Sequence, residues 1–148
     1  MMKRLLIITI ALLTGISLFA PAEKMIYLTR DEGINPFIPL SYAVRYVETG
    51  INPDTINRIE QAYGPRQIRQ AKLNDFNKAT GKNYTLNDCL REEVSHEVFL
   101  WHCSSYSYLE IAARRWNGSG PMTDIYWSKV KRRLPPNLPE RDSSNVIM

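Results

Sequence analysis

Between Thr85 and Ser105 the apolar residues Leu86, Leu90, Val94, Val98 and Trp101 recur at the spacing that lines one face of an α-helix. Thr85, with Asp88 three residues on, forms a near capping box at the start of the run. The pattern predicts a helix of roughly twenty residues, a long central element against which the shorter ones pack. Cys89 and Cys103 both fall on it. A helical rise of about 1.5 Å per residue sets them about 21 Å apart, whereas a disulfide needs Cα atoms within about 7 Å. They therefore read as two small buried hydrophobes, and a bridge would require a broken helix. His96 and His102 are the only other soft ligands nearby and there is no Cys-x-x-Cys, so no metal or other cofactor is expected. Arg91, Glu92, Glu93 and Glu97 read as a solvated face.

A second, shorter helix lies upstream. Leu40, Ala43, Val44 and Val47 share one helical face, and Gly50 and Asn52-Pro53 stop the helix and begin a loop. Glu48 thus sits at the C-terminal end of a half-buried helix, where the helix dipole favours cations. Burial beside that negative end favours the protonated carboxyl, the form a general acid needs.

The residues around Glu48 carry a resemblance. Glu48-Thr49-x-Ile51-Asn52-Pro53, followed by Ala62-Tyr63-Gly64-x-x-Gln67-Ile68, resembles the catalytic signature of lytic transglycosylases, Glu-Ser-x-Phe-Asn-Pro and then Gly-Ala-x-Gly-Leu-Met-Gln-Ile. Pro65-Arg66 stands where the family has Leu-Met, and the gap between the halves is slightly longer. Ala112-Ala113 with Trp116-Asn117-Gly118 is similar to the family's Ala-Ala-Tyr-Asn-x-Gly, and Thr123-x-x-Tyr126-x-x-x-Val130 to its Thr-x-x-Tyr-Val. Many members have Glu before that Thr; Met122 occupies the position here, which leaves Asp124 as a substitute carboxylate or the role unfilled. The three blocks occur in family order and, with the intervening helices, span residues 40 to 133.

The rest of the chain frames this domain. Lys3-Arg4, an apolar run from Leu5 to Phe19 and Ala20-Pro21-Ala22 make a secretory signal peptide over residues 1–22. Its removal takes two of the 19 basic residues and none of the 15 acidic ones, leaving a formal charge of +2. That weak excess suits an anionic wall polymer and falls far short of a nucleic-acid-binding stripe. About 126 residues remain, enough for one domain. Residues 23–38 read as an irregular leader and 39–134 as the domain. Residues 135–148, beginning Pro135-Pro136-Asn137-Leu138-Pro139, read as a disordered tail. Arg66 to Thr80 reads as a helix with a Leu73, Phe76, Ala79 stripe, closed by Gly81.

The resemblance implies a mainly α, lysozyme-like domain that acts in the periplasm or outside the cell. Its substrate would be peptidoglycan glycan strands, cut at the β-1,4 bond between N-acetylmuramic acid and N-acetylglucosamine. Glu48 is the implied acid and base. Gln67 orients the substrate or the acid, or else pins its loop; Asn117 hydrogen-bonds near Glu48 or an N-acetyl group. Trp116 and Tyr126 line the cleft or belong to the core, and Tyr63 stands at the loop edge. Thr49 fixes the turn. A monomer is expected, with an envelope or secretion assembly as a further partner. A muramidase remains open, needing a second carboxylate from Glu60, Asp54 or Asp124, as does a non-catalytic glycan-binding protein.

Overall fold

A computed structural model of the protein describes residues 35–50, 52 and 55–139. The stretch read as a signal peptide, the stretch read as leader up to residue 34, Ile51, Pro53, Asp54 and residues 140–148 lie outside the described residues. The described residues are mainly helical, with five α-helices: α1 (Phe37–Thr49), α2 (Gln70–Thr80), α3 (Glu92–Cys103), α4 (Leu109–Asn117) and α5 (Met122–Lys131). Between α1 and α2 a small antiparallel sheet runs in order β1 (Ile56–Asn57), β2 (Ala62–Tyr63) and β3 (Ile68–Arg69). None of the described helices is long and apolar enough to cross a membrane.

Helix α1 starts at Phe37, inside the stretch read as leader, because Pro36 is itself in helical geometry and Asn35 Oδ1 accepts the Phe37 N–H at 2.9 Å. It buries Leu40, Ala43 and Val44 as the periodicity demands, and packs on α3, α4 and α5. Burying Leu40 and Val44 contributes about 1.5–3 kcal/mol each. The core closes with Leu73 and Phe76 from α2, Val98 and Phe99 from α3, and Val130 from α5.

The long central helix is broken. Its first part is a 3-10 turn, Asp88–Leu90, and Arg91 is extended at φ −74°, ψ 134° before α3 begins. The Thr85–Asp88 capping box does form: Asp88 accepts the Thr85 N–H at 2.8 Å and the Thr85 hydroxyl at 2.7 Å. It caps only that turn, since Arg91 pairs with Asp88 at 3.3 Å and turns the chain into the true N-terminus, where Glu92 and Glu93 suit the dipole. Cys89 and Cys103 are free and buried, each thiol pushed up by burial, Cys89 to about 12. Two further expectations need correction. The helix read from Arg66 begins only at Gln70, because Ile68 and Arg69 pair with β2 as a strand; Gly81 does close it in a left-handed cap, but Ala79 is exposed. Leu138, placed in the disordered tail, packs partly buried on the core, with its N–H on Pro135 O at 3.2 Å.

Gly64 is the tightest backbone approach. It has φ +75°, and a Cβ there would lie 1.8 Å from the Cys89 carbonyl oxygen. Both the left-handed backbone and the contact require glycine. Gly64→Ala is expected to cost more than about 3 kcal/mol, since a backbone carbonyl rather than a pliable side chain must shift. Urea unfolding would check this, and a loss under about 1 kcal/mol would mean the hairpin is free to move off the Cys89 turn.

Candidate active site

Glu48 lies in the last turn of α1, half-buried, and that turn carries no basic residue. Gly50 closes the helix with its N–H on Tyr46 O at 3.0 Å. Thr49 Oγ1 lies 3.2 Å from both Arg45 O and Pro65 O, tying the helix end to the loop that follows. From α5, the Tyr126 hydroxyl donates to Glu48 Oε1 at 2.8 Å. Burial pushes the Glu48 carboxyl above its ordinary value; the Tyr126 hydrogen bond works against that, Glu60 adds to it and Arg69 opposes it. Tyr126 is itself driven up by burial and by Glu48, so its phenol stays protonated and always donates. Oε1 is therefore committed as an acceptor. Oε2 is the oxygen left to carry the proton.

A cavity of about 220 Å³ opens at Glu48, lined by Asn57, Glu60, Gln67, Arg69, Lys72, Trp116 and Asn117. Asn57 and Glu60 come from the β1–β2 turn, where Asn57 Oδ1 accepts the Ile59 and Glu60 N–H groups, both at 3.2 Å. Gln67 precedes β3 in left-handed geometry at φ 52°, unusual for a residue with a side chain. Its amide donates to Thr55 O at 3.1 Å and Gly64 O at 3.0 Å, which holds that conformation. Arg69 pairs with Glu60. Lys72, in the first turn of α2, sets its ammonium 4.6 Å from the centre of the Trp116 ring.

Behind the cavity the loop is anchored by a buried charge. Arg66 is wholly enclosed. Its Nε donates to Ser41 Oγ at 2.6 Å and its Nη2 to Glu92 Oε1 at 2.7 Å, with His96 Nδ1 at 3.1 Å. A guanidinium can only donate, so Nδ1 is an acceptor and the neutral His96 ring carries its proton on Nε2. Burial, and then the Arg66 charge, hold His96 below its ordinary value. Arg45 Nε stands 3.4 Å from the other Glu92 oxygen. Glu92, read as part of a solvated face, is thus the counter-ion of a buried arginine. The backbone of Pro65 and Arg66 is tied to residues of the site: Pro65 O accepts the Thr49 hydroxyl, and Arg66 O accepts the Trp116 indole N–H at 3.1 Å.

Of the residues singled out from sequence, Glu48, Gln67, Trp116 and Asn117 meet at one cavity. Tyr126 is buried beneath it on the acid, and offers no open ring to a sugar. Trp116 is 6% exposed, with Lys72 over its ring and the edges of Phe99 and His102 against it, so it is wall and core together. Tyr63 is not among the lining residues; it packs partly buried on the core. Asp124 does not substitute for the missing Glu: it pairs with Arg114 at 2.7 Å in a separate cavity of about 510 Å³ between α4 and α5. Asn57, Arg69 and Lys72 were not anticipated, and Glu60 was named only as a second carboxylate for a muramidase. The available signal was the pair of basic residues Arg69 and Lys72 directly after Gln67-Ile68. Among the described residues no cluster of three His, Cys, Asp or Glu could hold a metal ion.

Comparison with known proteins finds no protein-family model, no curated protein and no solved structure that matches this chain.

Proposed function

We propose that this chain is an exported peptidoglycan lytic transglycosylase with a lysozyme-like domain, a lyase that acts through Glu48 alone. The observation that carries the reading is the raised, half-buried Glu48 carboxyl, hydrogen-bonded by Tyr126 at 2.8 Å and facing a cavity lined by Gln67, Trp116 and Asn117. Each of the three sequence blocks that resemble the family contributes to that one place. The chemistry follows from a single acid in a half-dry site. Glu48 Oε2 gives its proton to the glycosidic oxygen as the bond to the anomeric carbon breaks, releasing the N-acetylglucosamine hydroxyl. The substrate's N-acetyl group meets the positive charge at that carbon. The Glu48 carboxylate, steadied by Tyr126, then takes the proton of the C6 hydroxyl while its oxygen closes a 1,6-anhydro ring. No water is consumed, and the acid is regenerated. Residues 1–22 fit a signal peptide that delivers the enzyme to the wall, where an envelope or secretion assembly would direct it.

Digestion of purified peptidoglycan by residues 23–148, with products read by mass spectrometry, tests the reading. Fragments lacking one water support it; silence from the wild type sinks it in favour of a glycan-binding protein.

One observation favours a second outcome. Glu60 shares the cavity with Glu48, and a second carboxylate is what a water-delivering muramidase needs. Its pairing with Arg69 gives it another occupation, holding the β1–β2 turn. Glu60→Gln is therefore expected to leave the anhydro products in place and to lower the rate by less than about tenfold. Reducing-end products from the wild type, abolished by Glu60→Gln, would transfer the assignment to hydrolysis.

A further inference from the structure

The charged side chains around the Glu48 cavity are not all paired. Glu48 is held towards its neutral form by burial, and Glu60 and Arg69 neutralise each other as a pair. Lys72 has neither arrangement. Among the described residues no carboxylate comes within ion-pair distance of its ammonium, whose neighbours are the Trp116 ring at 4.6 Å and the Arg115 carbonyl at 3.4 Å. Burial lowers its pKa from the ordinary lysine value, the mark of a cation losing water without a full counter-charge. Arg115, whose own carbonyl Lys72 touches, does not line this cavity but the one between α4 and α5. Lys72 is therefore a cation on the wall of this cavity with no carboxylate held against it.

We propose that Lys72 receives a carboxylate carried by the bound glycan strand, so that this site reads carboxylate-bearing muramyl polymers in preference to uncharged N-acetylglucosamine polymers. The inference rests on the glycan-cleaving reading above and adds to it the residue that selects the substrate. An aromatic ring beneath the ammonium keeps it in place without neutralising it, because the ring supplies a quadrupole and no net charge. A carboxylate arriving there gains a charge-assisted hydrogen bond at the wall of the cavity, away from the half-buried Glu48 oxygen that must give up its proton. On a wall strand that carboxylate has two sources: the lactyl group of a muramic acid freed of its peptide, or the peptide itself. If it is the lactyl group, an amide-hydrolysing reaction must act first to uncover it, and this enzyme takes the product of that reaction.

Binding separates the possibilities without relying on catalysis. Glu48→Gln keeps the strands intact and is measured against three probes of matched length: chito-oligosaccharide, glycan strands with their peptides, and strands stripped of peptide by amide hydrolysis. At least one carboxylate-bearing probe is expected to bind about tenfold tighter than the chito-oligosaccharide. Adding Lys72→Gln is expected to erase that margin by weakening the carboxylate-bearing probe more than the chito-oligosaccharide, and Lys72→Arg to keep most of it. Tighter binding of the stripped strands assigns the lactyl carboxylate, and tighter binding of the intact strands assigns the peptide. Equal binding of all three, binding of none, or a margin that survives Lys72→Gln overturns the proposal. A margin in a protein whose wild type cuts neither strand would instead count against the lyase assignment alone.

Discussion

On the proposed lyase mechanism, Glu48→Gln is expected to lower peptidoglycan cleavage by about a thousandfold, because one side chain would serve as acid in the first half of the reaction and as base in the second. The amide preserves size and can still accept the Tyr126 hydroxyl at the position of Oε1, so binding of strands should survive where turnover does not. The same substitution is expected to stabilise the fold at neutral pH. Burial raises the Glu48 pKa in the folded state, so the unfolded chain ionises first as pH rises. Wild type then loses stability through the window between the ordinary glutamate value and the raised one, and Gln, which cannot ionise, does not. Below about pH 4 both states of the wild type are protonated and the difference should vanish. Paired urea titrations at pH 4 and pH 7 check the sign. A variant less stable than wild type at pH 7 would mean that the Tyr126 hydrogen bond, and not burial, governs the group. Activity of the wild type should fall as pH rises through the same raised value, since only the protonated acid can begin the reaction.

Glu92→Gln is expected to cost more stability than Arg66→Met, although the first changes one atom and the second removes a charge from the core. Breaking a buried pair from the acidic side leaves the enclosed guanidinium without its counter-ion, a loss that reaches 3–5 kcal/mol for fully buried pairs. Glu92 is 39% exposed, so solvent relieves part of it and about 2–3 kcal/mol is expected, or roughly 10 °C in Tm. Arg66→Met exchanges the guanidinium for a flexible apolar chain and strands three groups: Ser41 and His96 bond each other at 2.8 Å, and Glu92 keeps solvent and Arg45 at 3.4 Å. The double variant should recover most of the Glu92→Gln loss. Denaturant midpoints for the four species settle the ordering, and an Arg66→Met loss larger than that of Glu92→Gln would show the pair to be a net source of stability.

How much of this was legible from sequence divides along physical lines. Helix α1 could be read because it has its own apolar period, and Leu40, Ala43 and Val44 are buried as that period requires. Glu48 could be found because a carboxylate at a helix end before Gly50 and Asn52-Pro53 is locally anomalous. The break at Arg91 could not be read: Leu86 and Leu90 stay in phase with Val94 whether or not the backbone between them is helical, and periodicity is blind to one extended residue. The β-hairpin was hidden by the two-residue length of its strands, too short for alternation to show. Arg66 was visible only as a departure from Leu-Met. What makes it tolerable in the core, Ser41, Glu92 and His96, is spread over more than fifty residues of sequence, and pairing at that range leaves no local trace.

The two peptide carbonyls at Pro65 and Arg66 have a consequence for motion. One grips the end of α1 beside Glu48 and the other grips Trp116, while the side chain between them is rooted among α1 and α3. The segment that lines the cavity is therefore as stiff as the interior, and its conformational freedom is surrendered when the chain folds rather than when a ligand arrives. A strand entering such a cavity meets a finished mould. Disturbance deep in the core at Arg66 would consequently be transmitted to the placement of Glu48, and on the proposed mechanism to the speed of turnover more than to the grip on substrate.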